Sequence, residues 1–322
     1  MNRPLISVVI ETISRDDYPD GPLVDDLHAT LEAVLRQTYP RELTETLVVI
    51  DDTMAGHESD EILRRYPWVT MVMAPQRNYF AAKNAGAQAA RGSLIALVDG
   101  DCVPAPDWLE RIASRFEDPN VSVVAGRTRY TGTSLSAWTF SVADFSNVVA
   151  DETGAASGFN LNNCGIRREV LLAHPLDSRI RRNGGCFFLY HQLRSIGARI
   201  VYEPRASVAH GLDIAGSGFI RKHFERGFDG VTVYQIDERE VLRGTRLFRR
   251  FGGAALIALA GRRIMTDWLR IVRERDQMGI PLITFPYFAT MTAGVRLIEV
   301  IGGLTALARR RRTALPMTAS PR

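Results

Sequence analysis

The chain of 322 residues predicts an α/β fold with a mostly parallel sheet flanked by helices, followed by a basic helical segment. Three observations predict it. Strand-like apolar runs alternate with helix-spaced segments through the first half, the pattern of a parallel sheet with helical crossovers. One of these runs ends in Val98-Asp99-Gly100-Asp101, so two carboxylates stand outside a strand's carboxyl end, where open α/β sheets bind their ligands. Beyond residue 240 the pattern changes to apolar blocks separated by arginines.

The elements follow in order. Leu5 to Ile10 is the first strand, and Val24, Leu27, Leu31, Val34 and Leu35 recur behind it at helical spacing. Leu47 to Ile50 is a second buried strand that ends in Asp51-Asp52; Val69 to Met73 is a third and Leu94 to Val98 a fourth. Between the last two, Ala81 to Ala90 is a helix of small residues that can pack closely on a sheet. Val121 to Ala125 is a fifth strand. The middle of the chain is less regular. Ser157 to Gly165 is polar and punctuated by glycine, and Ile166-Arg167-Arg168-Glu169-Val170 is expected to start a helix. Leu189 to Ile196 reads as a helix stopped by Gly197, and Ile200 to Tyr202 and Ala206 to His210 read as short strands around Pro204. No GxGxxG follows the first strand, and no Walker A loop, CxxC pair, HExxH or GxSxG occurs.

Carboxylates two residues apart, with a glycine between, can address one small volume. They suit a hard divalent cation that takes oxygen ligands and keeps phosphates among them. Asp-Gly is also hairpin chemistry. The residues that follow, Cys102 to Leu109, read as a loop opening a helix near Asp107 rather than as a return strand, which favours the edge of a site.

Three cysteines, Cys102, Cys164 and Cys186, lie far apart, a sparse odd set that predicts a reducing compartment rather than a disulfide framework. The first residues lead into a strand without the apolar region of a signal peptide. Residues 241–322 carry fifteen arginines and four acidic residues, a balance of +11, which leaves −7 for residues 1–240 of a chain that totals +4. That division predicts domains at 1–240 and 241–322. A basic tail on an acidic body meets phosphate, on anionic lipid or nucleic acid, or is a solvated helix face. Phe251 to Gly261 would reach about 17 Å as a helix, short of the ~30 Å hydrocarbon core. Ile280 to Ala308 is longer but holds Pro281, Pro286, Arg296 and Glu299, so helices lying in the membrane interface are expected. A soluble helical cap is the alternative. No recognised nucleic-acid motif accompanies the charge, so no nucleic-acid partner is expected.

The pieces together resemble the family-2 glycosyltransferases. The resemblance runs from residue 5 to about 235 and rests on Ser7-Val8-Val9-Ile10, Gln37-Thr38-Tyr39-Pro40, Val49-Ile50-Asp51-Asp52-Thr53, Asn78 with Lys83-Asn84-Ala85-Gly86, Asp99-Gly100-Asp101, and Pro204 with His210. It implies a GT-A fold and a nucleotide-sugar donor. It implies that Asp51 and Asp52 meet the nucleotide base, with Asn78, Lys83 and Asn84 also on the donor side. Asp99 would contact the ribose or a metal-bound water. Asp101 would hold Mg²⁺ or Mn²⁺, with His210 near the metal or diphosphate. Each has a structural alternative: Asp51 caps a turn, Asn84 satisfies backbone groups, His210 terminates a strand.

Two departures from the family pattern matter. Glu11 follows the first strand where a proline is usual, either adding a carboxylate to the donor pocket or lying on its rim. Relatives carry a Glu-Asp pair before a late helix, its Asp serving as general base; aligning Leu189, Leu193 and Gly197 with that helix puts Gly185-Cys186 there. Three accounts remain: His191 or Asp213 serves as base, the acceptor is an already ionised phosphate, or the protein binds without catalysis. The expected function is a metal-dependent inverting glycosyltransferase acting on an envelope, polysaccharide or lipid-phosphate acceptor. Its expected place is cytoplasmic, peripheral on the inner face of the cell membrane. A non-catalytic nucleotide-sugar-binding scaffold is the alternative.

Overall fold

The computed structural model describes residues 3–13, 23–131, 139, 148–211, 216–278 and 281–314. They form two compact units, Met1–Asp213 and Ile214–Arg322. The division falls upstream of residue 240, where charge suggested it. The physical reason is the helix Gly216–Ile236, which packs against the last helix of the chain although its composition does not mark it as part of the basic tail.

In the first unit an eight-stranded sheet has the order β3-β2-β1-β4-β7-β6-β8-β5. The strands are β1 (Ile6–Glu11), β2 (Thr44–Ile50), β3 (Val69–Met73), β4 (Leu94–Asp99), β5 (Cys102–Pro104), β6 (Val121–Tyr130), β7 (Asn163–Arg167) and β8 (Arg199–His210). The first four pair in parallel, as the alternating pattern predicts. β7 runs antiparallel between β4 and β6, and β5 antiparallel to β8, so the sheet is mixed. Every residue of β1 and β4 is buried, which explains their unbroken apolar character.

Helices α1 (Leu23–Leu35), α2 (His57–Arg65), α3 (Tyr79–Ala89), α4 (Trp108–Arg115), α5 (Arg168–Ala173) and α6 (Gly185–Ser195) belong to this unit. The small residues of α3 have a consequence: a Cβ on Gly86 would meet Val9 at 2.3 Å, so the helix seats directly on β1 and β2. Trp108, fully buried at the start of α4, donates its indole N–H to Asn163 Oδ1 at 2.8 Å.

Three expectations are corrected here. Cys102–Pro104 is a short strand rather than loop, and residues 163–167 are a strand, the helix starting only at Arg168. The two short strands expected around Pro204 are one interrupted strand. Opposite β6, Gly126 pairs Glu203 and the next residue, Arg127, pairs Ser207, so Pro204, Arg205 and Ala206 bulge out. Proline has no N–H to give a ladder and is confined to such places. The carbonyl of Ala206 is taken up by Asn163 Nδ2 at 3.1 Å.

The second unit is helical: α7 (Gly216–Ile236), α8 (Thr245–Phe251), α9 (Gly253–Met278) and α10 (Phe285–Ala314), with a 3₁₀ turn at Leu282–Thr284. The backbones of α7 and α10 touch. A Cβ on Gly227 would fall 1.8 Å from the carbonyl oxygen of Glu299, and one on Gly302 would fall 2.0 Å from that of Phe224. Asp237 holds the turn into α8 by accepting from the backbone N–H groups of Val241 and Leu242 and from the Thr245 hydroxyl. Leu282–Arg309, 28 residues, is long and apolar enough to cross a membrane by length and composition.

Candidate functional site

The carboxyl ends of β1, β2 and β4 make one edge at the point where strand order reverses between β1 and β4. Glu11 and Asp99 are register partners there. Asp99 receives the Lys83 ammonium at 2.6 Å and the Tyr79 hydroxyl at 3.0 and 3.1 Å. Tyr79 and Lys83 stand one turn apart on α3, so one helix face supplies both. Lys83 is fully buried, and its ammonium lies 4.8 Å from the centre of the Tyr79 ring. The Arg182 guanidinium lies 4.0 Å from the same ring and 4.0 Å from Glu11 Oε1.

These charges act on one another. Glu11 is fully buried, not on the rim, and burial, then the Asp99 charge, push its carboxyl up to about 8 against the pull of Lys83 and Arg182. For Asp99 burial acts upward, but Lys83 and Arg182 outweigh it and hold the carboxyl below its usual range. Burial, with both carboxylates near, drives the Tyr79 hydroxyl well up. At neutral pH the cluster therefore holds a protonated Glu11 beside an ion-paired Asp99.

Asp101 turns to a second group. Its Oδ2 is 3.9 Å from His210 Nε2, and its Oδ1 accepts from the Cys102 thiol at 3.4 Å. Cys102 and His210 are antiparallel partners across β5 and β8, so the bulge at 204–206 and the short β5 together deliver the imidazole. Tyr130 stacks on His210 at 5.4 Å. Ligand atoms of Asp101, Cys102 and His210 all lie within 4.8 Å of one another. Burial raises the Cys102 thiol well above its usual value, which disfavours a thiolate ligand. A carboxylate and an imidazole fit Mg²⁺ or Mn²⁺ when phosphate and water oxygens supply the rest. The Thr30 hydroxyl, from α1, fixes the turn by donating to the carbonyls of Gly100 and Cys102 at 3.0 and 2.8 Å.

The remaining candidates divide. Asp51 is buried at the end of β2; its Oδ1 accepts from the Thr53 backbone N–H and hydroxyl, the turn-capping alternative, while Arg77 stands 3.6 Å from Oδ2. Asp52 is exposed. Asn78 caps α3 through Phe80 N and Ala81 N and donates to the carbonyls of Ser178, Ile180 and Arg181. Asn84 exchanges both its amide groups with the backbone of Leu176. The amides of Asn78 and Asn84 thus tie the segment 176–181 to α3.

At the start of α6 the structure explains the unusual glycine. A Cβ on Gly185 would sit 2.4 Å from the Phe80 ring, so a side chain there would have to displace that ring. Cys186 is partly buried. His191 lies edge-on to Phe187 at 4.5 Å and to Tyr190 at 5.2 Å. Asp213 lies outside the described residues. Sequence reasoning missed Tyr79, Thr30 and Arg182 as site residues; the spacing of Tyr79 and Lys83 on one helix face was the available signal for the first.

The mixed open sheet, with a carboxylate pair at its switch point, is the architecture of the GT-A fold. Residues 22–171 match Glycosyl transferase family 2. The chain is 30% identical over 133 residues to glycosyltransferase AglE of Haloferax volcanii, covering 40% of each chain. To the glucosyl-dolichyl phosphate glucuronosyltransferase of the same organism it is 25% identical over 234 residues, 64% of this chain and 69% of that one. The chain thus spans well under half of the first relative's length and about two thirds of the second's. Among solved structures, the mannosyltransferase PcManGT of Pyrobaculum calidifontis, in complex with GDP-Man and Mn²⁺, superposes with a TM-score of 0.61 at 17% identity, over 94% of this chain and 88% of that one. At that identity the likeness concerns the fold.

Proposed function

We propose that the protein is a metal-dependent inverting glycosyltransferase that moves a sugar from a nucleotide-sugar donor to an acceptor at the cytoplasmic face of a membrane. The observation that carries this reading is the meeting of Asp101 and His210, residues 109 positions apart in sequence, at the switch point of the sheet. Asp51 and Asp52 address the base end of the donor, Asp99 the ribose or a metal-bound water, and Asp101 with His210 the divalent cation. That cation, when bound, offsets charge that develops on the departing diphosphate. The acceptor oxygen attacks the anomeric carbon from the face opposite the diphosphate; the new C–O bond forms as the bond to phosphate breaks, with inversion.

The acceptor's proton is the open side of this chemistry. An alcohol needs a base, which contributes roughly 10²–10⁴-fold, and Cys186 stands where the resemblance would place the base Asp. A phosphate acceptor is already anionic and needs none. Arg182, beside the donor edge, suits such a group. The curated relative that acts on glucosyl-dolichyl phosphate is consistent with a lipid-linked acceptor. The lack of a carboxylate at Gly185-Cys186 favours, as second reading, a scaffold that binds nucleotide sugars without transferring them.

A thermal-shift screen with uridine, guanosine and thymidine diphosphate sugars, with and without Mn²⁺, tests the proposal, since a specific ligand stabilises by mass action. One donor should stand out, and only with metal. Tight donor binding without transfer to alcohols or to lipid phosphates selects the scaffold.

A further inference from the structure

The last helix is inside out. Between Phe285 and Ala308 its charged residues are Arg296 and Glu299, and both turn inward. Arg296, 1% exposed, donates to Asp267 of α9 at 2.9 Å and to Glu299 at 2.7 Å. Glu299 also meets His223 at 3.5 Å and Arg226 at 3.9 Å, both of α7, and Arg263 of α9 at 3.6 Å. The opposite face, which passes through Pro286, Thr290, Leu297, Ile301 and Leu304, is exposed and uncharged.

α9 carries a matching stripe. Ile257, Met265, Leu269 and Val272 are all about half exposed or more at helical spacing. The two stripes adjoin: Leu304 reaches to within 2.7 Å of where a Cβ on Gly253 would lie, and Ile257 is one turn along from Gly253. Between the helices, Ile283 is 88% exposed. An apolar face of this extent on a soluble chain marks an interaction surface. Its surroundings are basic. Arg262 and Arg273 are exposed on α9 and Arg309 at the end of α10, and residues 214–322 balance at +10.

We propose that this α9–α10 face is the seat of an anionic lipid surface, with the hairpin lying in the membrane plane rather than crossing it. The inference rests on the membrane location proposed above and assigns the surface responsible. Charge complementarity selects the partner: apolar side chains enter the acyl boundary while the bordering arginines meet phosphates. The buried ion pairs select the orientation. They hold α10 along its middle to α7 and α9, so a crossing α10 would take Arg263, Asp267 and Arg226 into hydrocarbon with it.

The test is flotation of the full chain with vesicles of phosphatidylglycerol and phosphatidylethanolamine, against phosphatidylcholine alone. The wild type should float with the anionic vesicles and less so at high salt. The double variants Leu297→Gln/Ile301→Gln and Ile257→Gln/Leu269→Gln should each partition roughly tenfold or more weakly. Both should keep the metal-dependent donor shift, which isolates this surface from the donor site. Wild-type flotation by either variant overturns the assignment, as does a lipid-free dimer that the same variants dissociate, since a second copy would then own the face. A fluorophore on Ile301→Cys, placed in a Cys186→Ala background, should be quenched by lipids brominated near the headgroup. Strongest quenching by lipids brominated at the chain ends would mean a crossing helix.

Discussion

Glu11 and Asp99 end neighbouring parallel strands in register, so two buried carboxyl groups stand side by side with a lysine ammonium 2.6 Å from one of them. They cannot share a charge state cheaply, and the structure settles them apart: Asp99 takes the ion pair and Glu11 the proton.

Stability should therefore fall with pH through Glu11. Its carboxyl titrates at an ordinary value of 4.5 in the unfolded chain and about 8 when folded. The folded state binds the extra proton between those values, so the stabilisation is complete below 4.5 and is lost as pH rises through 8. With chelator present, urea unfolding should show a steeper loss between pH 5.5 and 8.5 for wild type than for Glu11→Gln. The variant should be the more stable of the two at the upper end. Equal slopes would show that Glu11 is already ionised in the fold.

Lys83→Met should destabilise the protein by about 3–5 kcal/mol, because it strands a buried carboxylate. Adding Asp99→Asn should restore part of that loss, since it removes the stranded charge. Chemical denaturation of both variants measures this. A double variant no better than Lys83→Met would mean that the lysine acts through packing instead.

Asp101→Ala should abolish the Mn²⁺-dependent part of donor binding while leaving the metal-free melting temperature close to that of wild type. Isothermal titration with donor, with and without Mn²⁺, decides it. Undiminished metal-dependent affinity in the variant would falsify the assignment of Asp101 as ligand.

Gly185→Ala should cost roughly 1–3 kcal/mol by overpacking against Phe80. Phe80→Leu should make Gly185→Ala cheaper, and a double-mutant cycle in urea reads the coupling. Independent effects of the two changes would place the crowding elsewhere.

Much of this was legible in sequence because it is local. The strands β1, β2, β3 and β4 announce themselves by apolar runs, and Asp99 and Asp101 by standing at the end of one of them. What escaped reading depends on distant partners. β5 has three residues and is a strand only because β8 lies beside it. Ile166 and Arg167, the end of β7, read as a helix start because Arg168 to Ala173 is a helix, and nothing local marks residues 163–167 as the antiparallel partner of β4 and β6. Glu11 looked as much like a rim charge as a pocket residue, because its burial is produced by the neighbouring strands and by α3. Gly185 read as a missing acid, whereas the ring that a side chain there would have to displace belongs to Phe80, more than a hundred positions earlier.

The bulge in β8 gives part of the chain a fixed length. Side chains alternate sides along a strand, so the parity of residues between Glu203 and His210 decides which way position 210 points. Most surface connections tolerate added or lost residues. Here the loss of one residue from Pro204 to Ala206 would turn the imidazole away from Asp101 and leave its place to a neighbour, with the sheet otherwise able to form. The segment can change its amino acids more freely than their number, and a frame-preserving deletion of a single codon there would be harsher than most substitutions.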